Sequence, residues 1–161
     1  MSAEDDIRKT IAQFANSFDL KDWALLESAL AGLITVDYSD LRGDLPKEIT
    51  GRGYAQARRE APGKLDTQHI IGNLETTVDG ERTSVKASSM IFRALSGVVF
   101  NTRAGYRFGL PRAQDGDQDR RWVIDGIKQT VLWDEGDPDI PSGVKKERPL
   151  RFAGLCSRAF E

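Results

Sequence analysis

The stretch from His69 to Leu110, HIIGNLETTVDGERTSVKASSMIFRALSGVVFNTRAGYRFGL, decides the fold. Two turn signals, Asp79-Gly80 and Ser96-Gly97, divide it into three extended runs. Asp-Gly between extended segments is a strong hairpin signal, because a tight right-twisted turn needs residues that accept left-handed backbone. The spacing predicts strands over 69–78, 82–94 and 98–110. In the third run Val98, Phe100, Thr102, Ala104, Tyr106 and Phe108 alternate with Val99, Asn101, Arg103 and Arg107. Such a period of two puts one set on a core and the other outside. A fourth long strand is expected over 121–132, after a polar loop at 111–119.

Upstream of this stretch the pattern is helical. Ser2 and Asp5 form a capping-box-like start. Ile7, Ile11, Phe14, Ala15 and Phe18 then share one helical face. Asp22 heads a second helix reaching about residue 31, with Trp23, Leu26, Ala29 and Leu30 on its apolar side. Residues 33–38 read as extended, and Gly43-Asp44-Leu45-Pro46 breaks the pattern. Thr50 can cap a third helix over 51–61, stopped by Pro62-Gly63. Helices followed by long antiparallel strands predict an α+β fold rather than a βαβ one. The folded body is expected over 1–135. The segment 136–161 begins rich in Pro and Gly and regains apolar residues at Phe152, Leu155 and Phe160. It is expected to pack on a pocket mouth or a neighbouring subunit.

Composition narrows the function. At 161 residues, 39% apolar and 30% charged, the chain suits one soluble domain with a real core. The net charge is −2 and the basic residues are scattered in pairs, so no phosphate-binding stripe exists and nucleic acid is not expected as a partner. No apolar run nears the roughly 18 residues a membrane span needs, and the N-terminus lacks signal-peptide features. A single cysteine, Cys156, excludes an internal disulfide and points to the cytoplasm. One His and one Cys cannot supply a usual zinc set. Asp115-Gly-Asp117-Gln-Asp119 opens like a calcium loop, but Arg120 occupies its glycine position and Gly126 stands where a Glu is required, so a solvated loop is expected. There is no Gly-rich nucleotide fingerprint. The chemistry is expected to need neither metal nor cofactor.

The candidate residues follow from the one histidine. His69 sits in Thr67-Gln68-His69-Ile70-Ile71-Gly72-Asn73, Asp19 in Phe18-Asp19-Leu20-Lys21-Asp22-Trp23, and Tyr38 in Val36-Asp37-Tyr38-Ser39. An imidazole titrates near neutral pH, and a carboxylate can fix its tautomer and tune its basicity. Each residue also has a structural reading: His69 as a satisfied core side chain, Asp19 as a helix cap, Tyr38 as core packing. Asp22 is at least as good a cap, which leaves Asp19 free for His69. Asn73 and Gln129 can donate to a substrate oxygen. Tyr54, Tyr106 and Phe108 read as walls.

In order and approximate spacing, Phe18-Asp19, Lys21-Asp22-Trp23, Asp37-Tyr38 and Thr67-Gln68-His69-Ile70-Ile71-Gly72 resemble the SnoaL-like, scytalone dehydratase-like branch of the NTF2-like superfamily. The likeness runs from the first helix to Trp133. It implies a cone-shaped barrel in which a curved antiparallel sheet wraps the helices around a mostly apolar pocket. It places Asp19, Tyr38 and His69 in that pocket as acid/base and positioning groups. Phe18 stands where the dehydratases carry a tyrosine, and no histidine stands near Thr102, where they carry a second one. Ile127, Gln129 and Val131 form the inward set of the last strand.

The resemblance therefore implies a cofactor-free lyase or isomerase, whether dehydratase, isomerase or cyclase. Its substrate would be a hydrophobic, oxygenated polyketide- or terpenoid-type intermediate. His69 would move the proton, Asp19 would orient it and Tyr38 would donate to a developing enolate. Phe18, Asn73, Tyr54, Thr102, Tyr106, Ile127 and Gln129 would line the substrate. The outward face carrying Val99, Arg103 and Arg107 suits a homodimer or homotrimer. The alternative is a non-catalytic NTF2-like binding or assembly module.

Overall fold

A computed structural model describes residues 2–60, 65–113, 121–138 and 140. Helix α1 (Ala3–Leu20) starts on the expected capping box, with the Ser2 hydroxyl accepting from the Asp5 backbone at 3.2 Å. Its face of Ile7, Ile11 and Phe14 is buried. It ends at Lys21, whose φ of 55° is left-handed, and the Asp22 backbone donates back to Ser17 at 2.9 Å. That six-to-one bond closes the helix as a Schellman turn. Asp22 then caps α2 (Trp23–Ala29) by accepting from Leu25 at 2.9 Å. β1 (Leu30–Asp37) follows directly.

Two short elements escape the sequence pattern: α3 (Ser39–Arg42) and β2 (Lys47–Thr50). Each is four residues long, shorter than one period of apolar patterning can reveal. α3 is tied to the sheet through Asp40, whose carboxylate accepts from the Val131 backbone at 2.6 Å. Thr50 caps α4 (Gly51–Glu60) by accepting from Gly53 at 3.0 Å. Gly51 packs against β1 so closely that a Cβ there would collide with the Ala31 carbonyl oxygen.

The strands β3 (Asp66–Asp79), β4 (Arg82–Leu95), β5 (Val98–Pro111) and β6 (Ile124–Gly136) form the main sheet. Gly80 (φ 58°), Ser96 (φ 51°) and Gly97 (φ 82°) supply the left-handed turn residues that the hairpins need. The six strands lie in the order β2-β1-β6-β5-β4-β3. The expected NTF2-like α+β cone is present, with two differences of detail. The sheet is open, with β2 and β3 at its edges, and it is mixed, because β1 runs parallel to β6. Those two strands are far apart in sequence, so no hairpin fixes their direction, and a long crossover permits a parallel pair. A bulge between Gly72 and Glu75 in β3 adds local twist. The concave face holds Val85, Ala87, Ile91, Phe108 and Ile127 against α1 and α2. The Asp115–Asp119 loop, Cys156 and nearly all of the 136–161 tail lie outside the described residues.

Candidate active site

Asp19 occupies the last turn of α1, where a carboxylate opposes the helix dipole. The helix gains nothing from it there, and the edge strand β3 does. The Asp19 carboxylate takes the His69 ring Nδ1 at 2.6 Å on one oxygen and the His69 backbone N–H at 2.8 Å on the other. The Thr67 hydroxyl donates to the first oxygen at 3.1 Å. Since a carboxylate only accepts, Nδ1 carries the hydrogen and Nε2 is left as the basic nitrogen. The His69 side chain keeps 9% of its surface and Asp19 19%, so water screens the contact weakly. Phe18 covers the imidazole, with ring centroids 5.1 Å apart, and meets Trp23 edge-on at 6.3 Å.

His69 lines a cavity of about 560 Å³ with Phe14, Phe18, Trp23, Val36, Ile49 and Ile91 among its apolar walls. Tyr38, Tyr54, Tyr106 and Gln129 also line it. The Tyr38 and Tyr54 hydroxyls are 2.7 Å apart. One donates to the other, so the pair keeps one hydrogen for a ligand. Burial raises the Tyr38 phenol well above its ordinary range, and the Tyr54 oxygen adds to that, so at neutral pH the group is a donor. Gln129 Nε2 donates to the Tyr106 oxygen at 2.8 Å, which leaves the Tyr106 hydrogen free to donate as well.

Three expected ligand contacts fall elsewhere. Asn73 sits on the β3 bulge with φ 52° and is exposed, its side chain away from the cavity; the residue suits the left-handed backbone rather than a ligand. Thr102 is fully buried and accepts from Arg93 Nη1 at 2.8 Å, so the arginine occupies the place from which it would reach a substrate. Ile127 lies opposite Phe108 within the packed core and does not line the cavity.

Sequence reasoning missed the arginines. Arg42 of α3, Arg58 of α4 and Arg93 of β4 all line the cavity, so the mostly apolar pocket expected also carries three guanidinium groups. The Arg42 and Arg58 guanidinium carbons lie 5.0 and 5.6 Å from the Tyr38 ring centre, and Arg58 lies 4.7 Å from that of Tyr54. Burial pulls Arg93 down to about 10, with the charges of Arg42 and Arg58 acting in the same direction. A signal existed for Arg93, which shares parity with Val85, Ala87 and Ile91 on β4 and so points inward. Arg58 falls one turn after Tyr54 on the same helical face. Among the described residues, no three His, Cys, Asp or Glu side chains gather to hold a metal ion, and no helix is long and apolar enough to cross a membrane.

Comparison with known proteins agrees with the geometry. A scytalone dehydratase-like protein, claB, of Passalora fulva is 27% identical over 145 residues, covering 83% of this chain and 88% of that one. The crystal structure of the Kfla4162 protein from Kribbella flavida superposes with a TM-score of 0.75 at 21% identity, covering 82% and 92%. A type 2 hexachlorocyclohexane dehydrochlorinase (LinA) superposes with a TM-score of 0.68 at 13% identity, covering 85% and 90%. Further solved structures with this fold are described as NTF2-like. The SnoaL-like domain model matches residues 1–128, the part that builds the helices, the curved sheet up to the start of β6 and the Asp19–His69 contact, so the chain belongs to the SnoaL-like domain family.

Proposed function

We propose that the chain is a cofactor-independent acid/base enzyme of the lyase or isomerase type. It would act as a dehydratase, isomerase or cyclase on an oxygenated intermediate of polyketide or terpenoid character. The observation that carries this reading is the Asp19–His69 contact at the wall of an open cavity. His69 Nε2 takes a proton from a carbon beside a carbonyl and returns it to the leaving or receiving atom. Asp19 balances the imidazolium charge meanwhile. The spare hydrogen of the Tyr38–Tyr54 pair stabilises the enolate oxygen, and such fixed donors in a dry site supply a large share of catalysis. The dehydratase name of the fungal relative and the dehydrochlorinase name of the structural neighbour support proton abstraction coupled to loss of a group. The unfilled cavity speaks against an assembly module packed with side chains, and the Asp19–His69 contact at its wall favours an enzyme over a binding module. The reading includes a cytoplasmic location and a homodimer or homotrimer.

The test uses the intermediate that accumulates when the gene is deleted from its host. Wild type and His69→Ala are incubated with it, and products are followed by mass spectrometry. Conversion should fall about 10²- to 10⁴-fold in the variant, with an unchanged melting temperature. Near wild-type conversion by His69→Ala rules the mechanism out.

A further inference from the structure

Among the described residues that line the cavity, Lys21, Arg42, Lys47, Arg58 and Arg93 are cationic, whereas Asp44 is the one acid. The chain as a whole carries a net charge of −2, so this concentration of cations is local. Arg42 and Arg58 approach one Tyr38 ring. The Nε–H of each is buried without a hydrogen-bond partner. Burial lowers the Arg42 guanidinium from its ordinary value, and the Arg58 charge lowers it further. A buried charge is normally paired or coordinated. Here Arg58 shares a side-chain hydrogen bond with Tyr54 and Arg42 feels the Asp44 carboxylate, while the phenol rings attract both cations without neutralising them. A neutral, purely hydrophobic ligand would strip the remaining water from these groups and give nothing back. An anion would satisfy them.

We propose that the substrate is an organic acid, its carboxylate received by Arg42 and Arg58 at the Tyr38–Tyr54 hydroxyl pair. This rests on the acid/base reading above and names the substrate class for the same cavity. Guanidinium groups present planar forks that match a carboxylate. The spare phenol hydrogen adds a third donor. The apolar walls between this seat and His69 take the carbon body of the acid. Arg93 lies opposite Thr67 in the strand register, two residues along β4 from Ile91, which pairs with His69, and on the same face. It therefore adds positive potential close to the dyad, where an enolate would form. A carboxylate suits the site better than a phosphate ester, because the donors present are side chains flanked by apolar surface rather than a cradle of backbone N–H groups.

The experiment measures binding and needs no turnover. Titration calorimetry compares 2-naphthoate, 2-naphthamide and 2-naphthyl phosphate on the wild-type protein. 2-Naphthoate should bind at least about 10-fold more tightly than the amide, and Arg58→Gln or Arg42→Gln should weaken it about 10- to 100-fold. Amide binding should change little in either variant. The acid preference should survive in His69→Ala, which separates this inference from the catalytic one. An acid preference alongside an active His69→Ala would sink the mechanism and keep the substrate class. Equal affinity for acid and amide, or no 2-naphthoate binding at millimolar concentration, overturns the inference whatever the variants do. Tighter binding of 2-naphthyl phosphate by 10-fold or more would also overturn it, moving the class to phosphate esters.

Discussion

Asp19 grips His69 at two points, ring and backbone, with one oxygen for each at 2.6 and 2.8 Å. The second bond fixes where the strand carries the imidazole, and the first fixes its tautomer. Both depend on a group that accepts at two oxygens.

Asp19→Asn keeps the shape but supplies only one acceptor oxygen. Either the ring or the backbone N–H then faces an amide N–H. The chain's one histidine makes the test unambiguous, because a single imidazole contributes to the nitrogen NMR spectrum. The wild type should show hydrogen on Nδ1 and a bare Nε2 in its neutral form. The variant should show a mixture, with turnover lowered about 10²- to 10⁴-fold. A wild-type spectrum with the hydrogen on Nε2 would contradict the arrangement.

Arg93 is expected to cost stability. Its folded guanidinium is pulled down to about 10, well below its open-chain value, chiefly through burial. Below about pH 10 both states are charged and the cost is complete. Above about pH 10 the folded form releases its proton before the open chain does, so this site's contribution to stability rises with pH. Arg93→Met removes a cost of about 3 kcal/mol by the shift alone. It loses in exchange the bond to Thr102 and the contact with Phe100. A net gain of about 1–2 kcal/mol, or a few degrees in Tm, should appear at neutral pH. Calorimetry that finds Arg93→Met several degrees less stable would show that the Thr102 and Phe100 contacts outweigh burial.

The convex face of the sheet carries a row that crosses four strands. Ile70 pairs with Met90, Met90 with Arg103, and Arg103 with Trp133. Ile70, Met90 and Trp133 keep 49, 38 and 52% of their surface, and Arg103 stacks on Trp133 at 5.0 Å while binding Glu135. An aromatic, a methionine and an arginine together are the composition of an interface centre. A second copy of the chain is expected to cover this row. Light scattering should report a dimer or trimer at micromolar concentration, and Trp133→Glu should shift it toward monomer. A wild-type monomer at that concentration would leave the row without this role.

The hairpins and the first two helix starts were legible because each is written in local chemistry: Asp79-Gly80 and Ser96-Gly97 for the turns, Ser2 and Asp22 for the caps. The direction of β1 was not, since its parallel partner β6 lies far along the chain and no turn residue records the choice. In the site, Asp19 and His69 were legible through their motif. Thr102 was misplaced because its inward parity is real, but Arg93 comes between it and the cavity. Arg58 was missed because the run Arg58-Arg59 reads as solvated surface, and only the packing of α4 separates the two. Arg42 was missed together with α3, an element too short to leave a pattern.

Gly51 shows how tolerance is distributed in this protein. It touches no ligand, yet Tyr54 lies one helical turn beyond it and Arg58 two. With no room for a methyl group against Ala31, the axis of α4 is set by backbone meeting backbone. Any larger residue must lever the helix outward, carrying a phenol and a guanidinium with it, and a misplacement of about 1 Å in a positioning group can cost about 10²-fold. A mutational screen would thus score position 51 as a recognition residue. Variation in what the cavity accepts can be inherited through this remote hinge of main chain as readily as through the side chains that face the substrate.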